Sequence, residues 1–256
     1  MSDLLEVSCE NRVLRLYLNR ADKRNALNIE LCRALLEAFE QARTDPSIGA
    51  VLLGANGPTF CAGMDLKEVT EPGIPEETAI HEQLFTIGSH LNKPIVAAIH
   101  GPVLAGGLGL VSNAHVAFAA HGSTFGLTEI RIAMWPYVIF RSMVLAIGER
   151  RTLELCLTGR MFAAHDALHW GLIHHIVPLQ EIEERAMALA VELANNSPEA
   201  IARGLDFVRR SRELSWNDAG DLARSLREAT FASADFLEGV NAFREKRHPS
   251  WPSLKI

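Results

Sequence analysis

The sequence predicts an α/β fold, a spiral of short β-β-α turns followed by a helical C-terminal segment, and three observations carry that prediction. Strand and helix patterns alternate over the first half of the chain. The run at 50–53 is apolar without a break, as in a strand covered on both faces, and 95–99 is apolar as well. From residue 138 onward helical patterns dominate. No sequence repeat accompanies the rhythm, so the spiral rests on the order of elements alone.

The elements run in order along the chain. Residues 4–9 and 12–18 alternate as two strands of a hairpin closed at Glu10-Asn11, with Leu14, Leu16 and Leu18 on one face. The stretch 19–25 is a polar connection carrying Arg20, Lys23 and Arg24. Asn28 caps a helix whose apolar positions Leu31, Leu35, Phe39 and Ala42 recur at helical spacing, and which stops near Thr44-Asp45-Pro46. After the strand at 50–53 and a loop at 54–60, residues 67–80 mix charges with Pro72, Gly73 and Pro75 and read as a mobile loop leading into a helix over 76–91. The strand at 95–99, a helix from Gly106, a strand at 115–119 and an extended segment at 124–128 complete the core. Ser197-Pro198-Glu199 starts a helix with proline in its first turn. Helices at 199–211, 216–229 and 233–247 come next, with no strand to cover.

Composition bounds the function. The 256 residues suffice for one large domain, and 48% hydrophobic with 22% charged residues describe an ordinary globular chain. A net charge of -6 argues against a nucleic-acid partner held by a basic face. Cys9, Cys32, Cys61 and Cys156 are scattered and read as reduced, core or near-core residues. With no apolar run near the roughly 18 residues of a membrane span, and no leader pattern at the start, a cytoplasmic location is expected. His165 and His169 share a helix face, but no Glu follows His165, so the H-E-x-x-H zinc pattern fails and no metal is expected. G-x-S-x-G, G-x-G-x-x-G and Walker A patterns are absent, which leaves no nucleophile elbow, dinucleotide site or P-loop.

The chemistry is concentrated at glycines. Ala105-Gly106-Gly107 opens a helix, where glycine costs about 1 kcal/mol relative to alanine in a helix interior but leaves the unpaired first-turn N–H groups open to a ligand. Phe60-Cys61-Ala62-Gly63-Met64-Asp65-Leu66 has the same logic, with Asp65 as the N-cap of the next helix. Two such sites, each aiming one N–H at one oxygen, make an oxyanion hole.

Asn19-Arg20 with Asn25-Ala26-Leu27-Asn28, then residues 60–66, Lys93-Pro94 leading to Ala105-Gly106-Gly107, and Phe125-Gly126-Leu127-Thr128-Glu129 together resemble the ordered signatures of the crotonase (enoyl-CoA hydratase/isomerase) superfamily. The likeness runs to Phe243-Arg244-Glu245-Lys246-Arg247. It implies a crotonase-like spiral over 1–196 that binds acyl-CoA, and a helical trimerisation segment over 197–256 in a homotrimer or dimer of trimers. Coenzyme A would be part of the substrate, with no separate cofactor. By the same resemblance Met64 and Gly106 supply the two N–H groups and Glu129 the acid/base carboxyl. Lys23, Arg24, Ala26, Ala62, Asp65, Leu66, Gly107, Gly109, Trp135, Phe243 and Lys246 are the implied substrate and CoA contacts, with Lys246 reaching a neighbouring subunit's ligand. Tyr137 joins Trp135 at the acyl end.

Glu129 stands among apolar residues, which should raise its pKa; the competing reading is a surface carboxylate beside Arg131. One departure matters. The family's hydratases carry a second glutamate three residues after the hole glycine, where this chain has Gly109. A single carboxyl suffices to move a double bond from C3 to C2, so the pattern leans to an isomerase. The alternatives are hydration by Glu129 alone, a non-catalytic acyl-CoA binder, and an RNA-binding relative that the acidic balance disfavours.

Overall fold

In a computed structural model the described residues are 3–69 and 77–254. β1 (Leu5–Glu10) and β2 (Val13–Leu18) form the expected hairpin. Its two loop residues, Asn11 and Arg12, both have positive φ, at 50° and 66°, the conformation whose twist suits a two-residue turn. Leu14, Leu16 and Leu18 are all buried. α1 (Ile29–Thr44) is capped by Asn28, whose side chain accepts from the Leu31 N–H at 3.1 Å. It buries the predicted Leu31, Leu35, Phe39 and Ala42.

β3 (Ala50–Ala55), α2 (Leu66–Val69), α3 (Glu77–Leu84), α4 (Ile87–His90), β4 (Ile95–Ile99), β5 (Val103–Leu104) and α5 (Gly106–Asn113) come next. Two expectations change here. Residues 67–69 of the expected loop belong to a short helix, which Asp65 starts as expected by accepting from the Lys67 N–H at 3.1 Å; residues 70–76 of that loop lie outside the described residues. The helix expected over 76–91 is two helices, interrupted at Phe85-Thr86. The second, α4, is seated against the end of α5, where the Gly88 N–H donates to Asn113 Oδ1 at 3.1 Å. A Cβ on Gly88 would come within 2.1 Å of the Asn113 carbonyl oxygen.

β6 (Val116–Ala120), β7 (Thr124–Gly126), α6 (Tyr137–Ile147), α7 (Glu149–Thr158), β8 (Met161–Ala163), α8 (Ala164–Trp170), β9 (His175–Val177) and α9 (Ile182–Ala194) complete the core. α10 (Pro198–Ser211), α11 (Trp216–Phe231) and α12 (Ala234–Glu245) form the end. Each of these last three is capped by a serine, Ser197, Ser215 and Ser233. α12 stops at Glu245, short of the expected 247, because Lys246 takes a left-handed conformation.

The large sheet has the order β1-β2-β3-β4-β6-β9 and is parallel apart from the hairpin, and the small one has the order β5-β7-β8. Each spiral turn thus gives one strand to each sheet before its helix: β4, β5, α5, then β6, β7, α6. Cys61, bridged to Val103, is the rudiment of the turn before them. Side chains of β3 alternate between two cores, Val51 and Leu53 facing the helices of the spiral and Ala50 and Leu52 facing α9. α9 lies close to the sheet because Ala186, Ala190 and Ala194 line its contact face. Lys93 is structural: it is buried and its Nζ donates to the Asp45 carbonyl at 2.7 Å. The thiols of Cys32, Cys61 and Cys156 are free and buried as expected, whereas Cys9, near the end of the edge strand β1, is exposed. Among the described residues no helix is long and apolar enough to cross a membrane, and no group of His, Cys, Asp or Glu is placed to hold a metal.

Candidate active site

The segment 61–65 runs as an extended ribbon between Val103-Leu104 on one side and Leu27 on the other. Leu104 N–H donates to the Cys61 carbonyl at 2.9 Å, Leu27 N–H to the Gly63 carbonyl at 2.8 Å, and Asp65 N–H to the Leu27 carbonyl at 3.0 Å. Met64 is bridged to Leu27 in parallel register through the Gly63 carbonyl and the Asp65 N–H, so its own N–H is turned away from Leu27. Met64 N is 3.6 Å from where a Cβ on Gly106 would stand, and Gly106 N is 3.3 Å from where one on Gly63 would stand. Neither amide donates to a backbone acceptor among the described residues. The two N–H groups expected to converge are therefore neighbours.

Two backbone features hold them there. Gly63 has φ +93, and a Cβ on it would sit 2.7 Å from the Ala105 Cβ, so the position demands glycine twice over. Ala105 precedes α5 with φ 49 and ψ -121, no side-chain cap, and its N–H bonded to the Gly126 carbonyl at 2.9 Å. A non-glycine residue in that region carries strain of about 1–3 kcal/mol. The strain orients the peptide whose nitrogen is Gly106.

Behind the ribbon, Arg20 Nη1 reaches Asp65 Oδ2 at 2.6 Å and the Ala26 carbonyl at 3.1 Å. The two side chains are 15% and 12% exposed. Burial pushes the Asp65 pKa up, but Arg20 and the Lys67 N–H outweigh it and hold the carboxyl below its ordinary value. Arg20→Ala should strand this carboxylate and lower stability by about 3 kcal/mol, read as a lower midpoint in urea at pH 7.

Glu129 opens a short 3-10 turn after β7. It is 7% exposed, and burial pushes its pKa up to about 7, offset in part by its own backbone N–H. Its Oε2 is buried with no hydrogen-bond partner. Arg131, the partner in the competing surface reading, turns away and donates to the Gly159 carbonyl at 2.6 Å. The Glu129 carboxyl, the Gly106 backbone and Met64 line one cavity of about 460 Å³. Its apolar walls are Phe85, Ile132, Met134, Val138 and Ile139, with Leu66, Ile132 and Tyr137 exposed at the mouth. Apolar walls keep the carboxyl dry, and a dry carboxyl with a pKa near neutrality can both take and return a proton.

Of the other expected contacts, Ala62 and Leu66 line this cavity. Ala62 N–H donates to the Arg24 carbonyl at 3.0 Å, so Arg24 adjoins a lining residue; Lys23 and Arg24 are exposed, and none of Lys23, Arg24, Ala26 and Asp65 lines the cavity itself. Trp135, Gly107 and Gly109 do not line the wall either. Trp135 packs on Phe140 at 6.2 Å between ring centroids, and Met134, Pro136 and Tyr137 line the cavity in its place. Gly107 is a packing residue, with a Cβ there 2.9 Å from the Cys61 Cβ. Gly109 faces Phe85 and Ile139, each within 2.5 Å of a Cβ at that position. Phe243 and Lys246 lie on α12 and at its end, both exposed and away from the cavity of their own chain. Sequence reasoning missed His81, Met134 and Ile139, which line the cavity; His81 alone carried a signal, as a polar residue among the apolar positions of a predicted helix.

The enoyl-CoA hydratase/isomerase family model matches residues 8–254. An enoyl-CoA hydratase of Mycobacterium tuberculosis is 31% identical over 252 residues, covering 96% of this chain and 95% of that protein. A carnitinyl-CoA dehydratase of Proteus mirabilis is 33% identical over 266 residues, covering 98% and 99%. The crystal structure of an enoyl-CoA hydratase of Mycobacterium smegmatis superposes with a TM-score of 0.92 at 29% identity, covering 98% of this chain and 99% of that one. Motif order, spiral topology and the match along nearly the whole chain agree: this is an enzyme of the crotonase type, a member of the enoyl-CoA hydratase/isomerase family.

Proposed function

We propose that the enzyme forms an enolate at C2 of a bound acyl-CoA thioester and moves a double bond, converting a 3-enoyl-CoA to a 2-enoyl-CoA. The observation that carries this is the dry Glu129 carboxyl in one cavity with two convergent amides. The amides of Met64 and Gly106 donate to the thioester oxygen as it becomes negative, which is where fixed donors act most strongly. Glu129, as carboxylate, takes the C2 proton and returns it at C4. No cofactor enters; coenzyme A arrives with the substrate. A second carboxylate from position 109 has no room, since Phe85 and Ile139 occupy its path. The names of the relatives favour a second reading, addition of water across a 2-enoyl-CoA. Absorbance of the conjugated thioester separates them: it rises from a 3-enoyl-CoA on isomerisation and falls from a 2-enoyl-CoA on hydration. CoA binding with neither change would overturn both and leave a non-catalytic binder.

Lys23 and Arg24 are assigned to the CoA phosphates, with Phe243 and Lys246 contributed from a neighbouring subunit. Replacing Lys23 and Arg24 together by alanine should raise KM about tenfold with kcat kept, the pattern of lost uniform binding. The assignment of residues 197–256 to oligomerisation is supported by exposed apolar side chains on α11 and α12, Trp216 at 95%, Phe231 at 52%, Leu237 at 56% and Phe243 at 86%. Light scattering should give a mass of three or six chains, and a monomer would remove this assignment.

A further inference from the structure

The titratable side chains lining the Glu129 cavity, among the described residues, are His81, Glu82, Glu129 and Tyr137. Glu82 is exposed and Tyr137 is 77% exposed, so His81 and Glu129 are the buried pair, each at 7%. They come from different walls: Glu129 from the turn after β7, His81 from α3. One helical turn after His81 stands Phe85, whose ring stacks on the imidazole at 6.1 Å between centroids. Phe85 is also the side chain laid against the first turn of α5, with Cζ 3.1 Å from a Cβ on Gly106 and Cδ1 2.5 Å from one on Gly109. Phe85 thus joins the imidazole to the first turn of α5, and His81 and Glu129 line the same cavity from separate elements.

We propose that His81 is a second proton-transfer residue of this cavity, acting at C3 while Glu129 acts at C2. The proposal rests on the enolate reading above and gives the same site the means to add water. The imidazole takes a proton from water as its oxygen bonds to C3 of a 2-enoyl-CoA. The C2–C3 π pair moves toward C1, and the thioester oxygen takes the charge under the two amides. The protonated Glu129 carboxyl then delivers its proton to C2, which yields the 3-hydroxyacyl-CoA. Imidazolium and carboxylate remain, and the loss of one proton and gain of another restore the starting pair. Water and enoyl thioester are the only reactants.

The test begins with the wild-type enzyme in D2O. Exchange of the C2 protons of a saturated acyl-CoA reports the enolate chemistry; if there is no exchange and no turnover, the enolate reading fails and this proposal falls with it. If exchange occurs but no 2-enoyl-CoA is ever hydrated, the enolate reading stands and the His81 role is overturned. Where hydration is seen, His81→Gln should lower its kcat about 100- to 10,000-fold with KM held within a few-fold, in a variant shown by circular dichroism to be folded. Added imidazole should restore part of the rate to His81→Ala, which a wall-forming role would not allow. A loss below threefold in folded His81→Gln, or a loss confined to KM, overturns the proposal. Should the glutamine variant fail to fold, the imidazole response of His81→Ala, or of His81→Gly if needed, decides in the same way.

Discussion

Glu129→Gln should abolish turnover by about 100- to 10,000-fold and, in the same protein, raise stability at alkaline pH. Both effects follow from the desolvation that pushes its pKa from an ordinary 4.5 to about 7. A carboxyl whose pKa rises on folding binds more protons in the folded than in the unfolded state. Stability linked to this group is therefore fully present at acid pH and falls as the pH rises from 4.5 to about 7. The shift corresponds to about 3 kcal/mol, an upper bound on what glutamine recovers because its buried amide also needs partners. The measurement is a pair of urea titrations at pH 5 and pH 8: the variant should gain on the wild type at pH 8 and not at pH 5. The wild-type kcat/KM for isomerisation should rise with pH through about 7, since the carboxylate is the base. Equal activity of Glu129→Gln, or a profile flat through neutrality, would remove Glu129 from the chemistry.

The second large effect is expected at the proposed oxyanion hole. Gly106→Pro deletes one of the two donors while proline remains acceptable in a first helical turn. Losing one such donor costs about 2.7–4 kcal/mol of barrier, or a factor of about 100 to 1,000 in kcat. The new Cβ would meet Phe85 at 3.1 Å, a contact the ring can relieve by a small shift. Ala105, at φ 49 and ψ -121, is the residue that must tolerate a following proline, and circular dichroism and CoA binding establish that the fold survives. Turnover retained by a folded variant would mean that Gly106 is not a donor to the thioester.

Much of the scaffold could be read directly from the residues because it is local. The hairpin follows from alternation, α1 from its apolar spacing and the Asn28 cap, and α10 from the Ser197-Pro198-Glu199 start. Strands of two or three residues, β5, β8 and β9, were not legible, since so short a run has no period and exists only through its pairing partners. The break at Phe85-Thr86 was missed for a related reason: the apolar pattern continues through it, and the chain is turned by the seat that Asn113 offers to Gly88. Gly107 and Gly109 looked like ligand contacts and are packing positions, because a glycine's sequence does not say which neighbour approaches it. His81 stood out in the sequence only as a polar residue among apolar helix positions, and folding buries it on the wall of the cavity that Glu129 also lines.

By itself the sequence determined the order of the longer elements up to β7 and of the last helices, the glycines that leave two turns open, the position of one acidic residue in an apolar motif, and the family these signatures resemble. The tertiary structure alone decided that Met64 and Gly106 are neighbours, that Glu129 is buried and Arg131 faces elsewhere, and that an imidazole lines the same cavity. The physical reason is that capping and periodicity are properties of neighbours along the chain. A free N–H, a raised pKa and a cavity wall are set by desolvation, which is supplied by segments that meet only after folding.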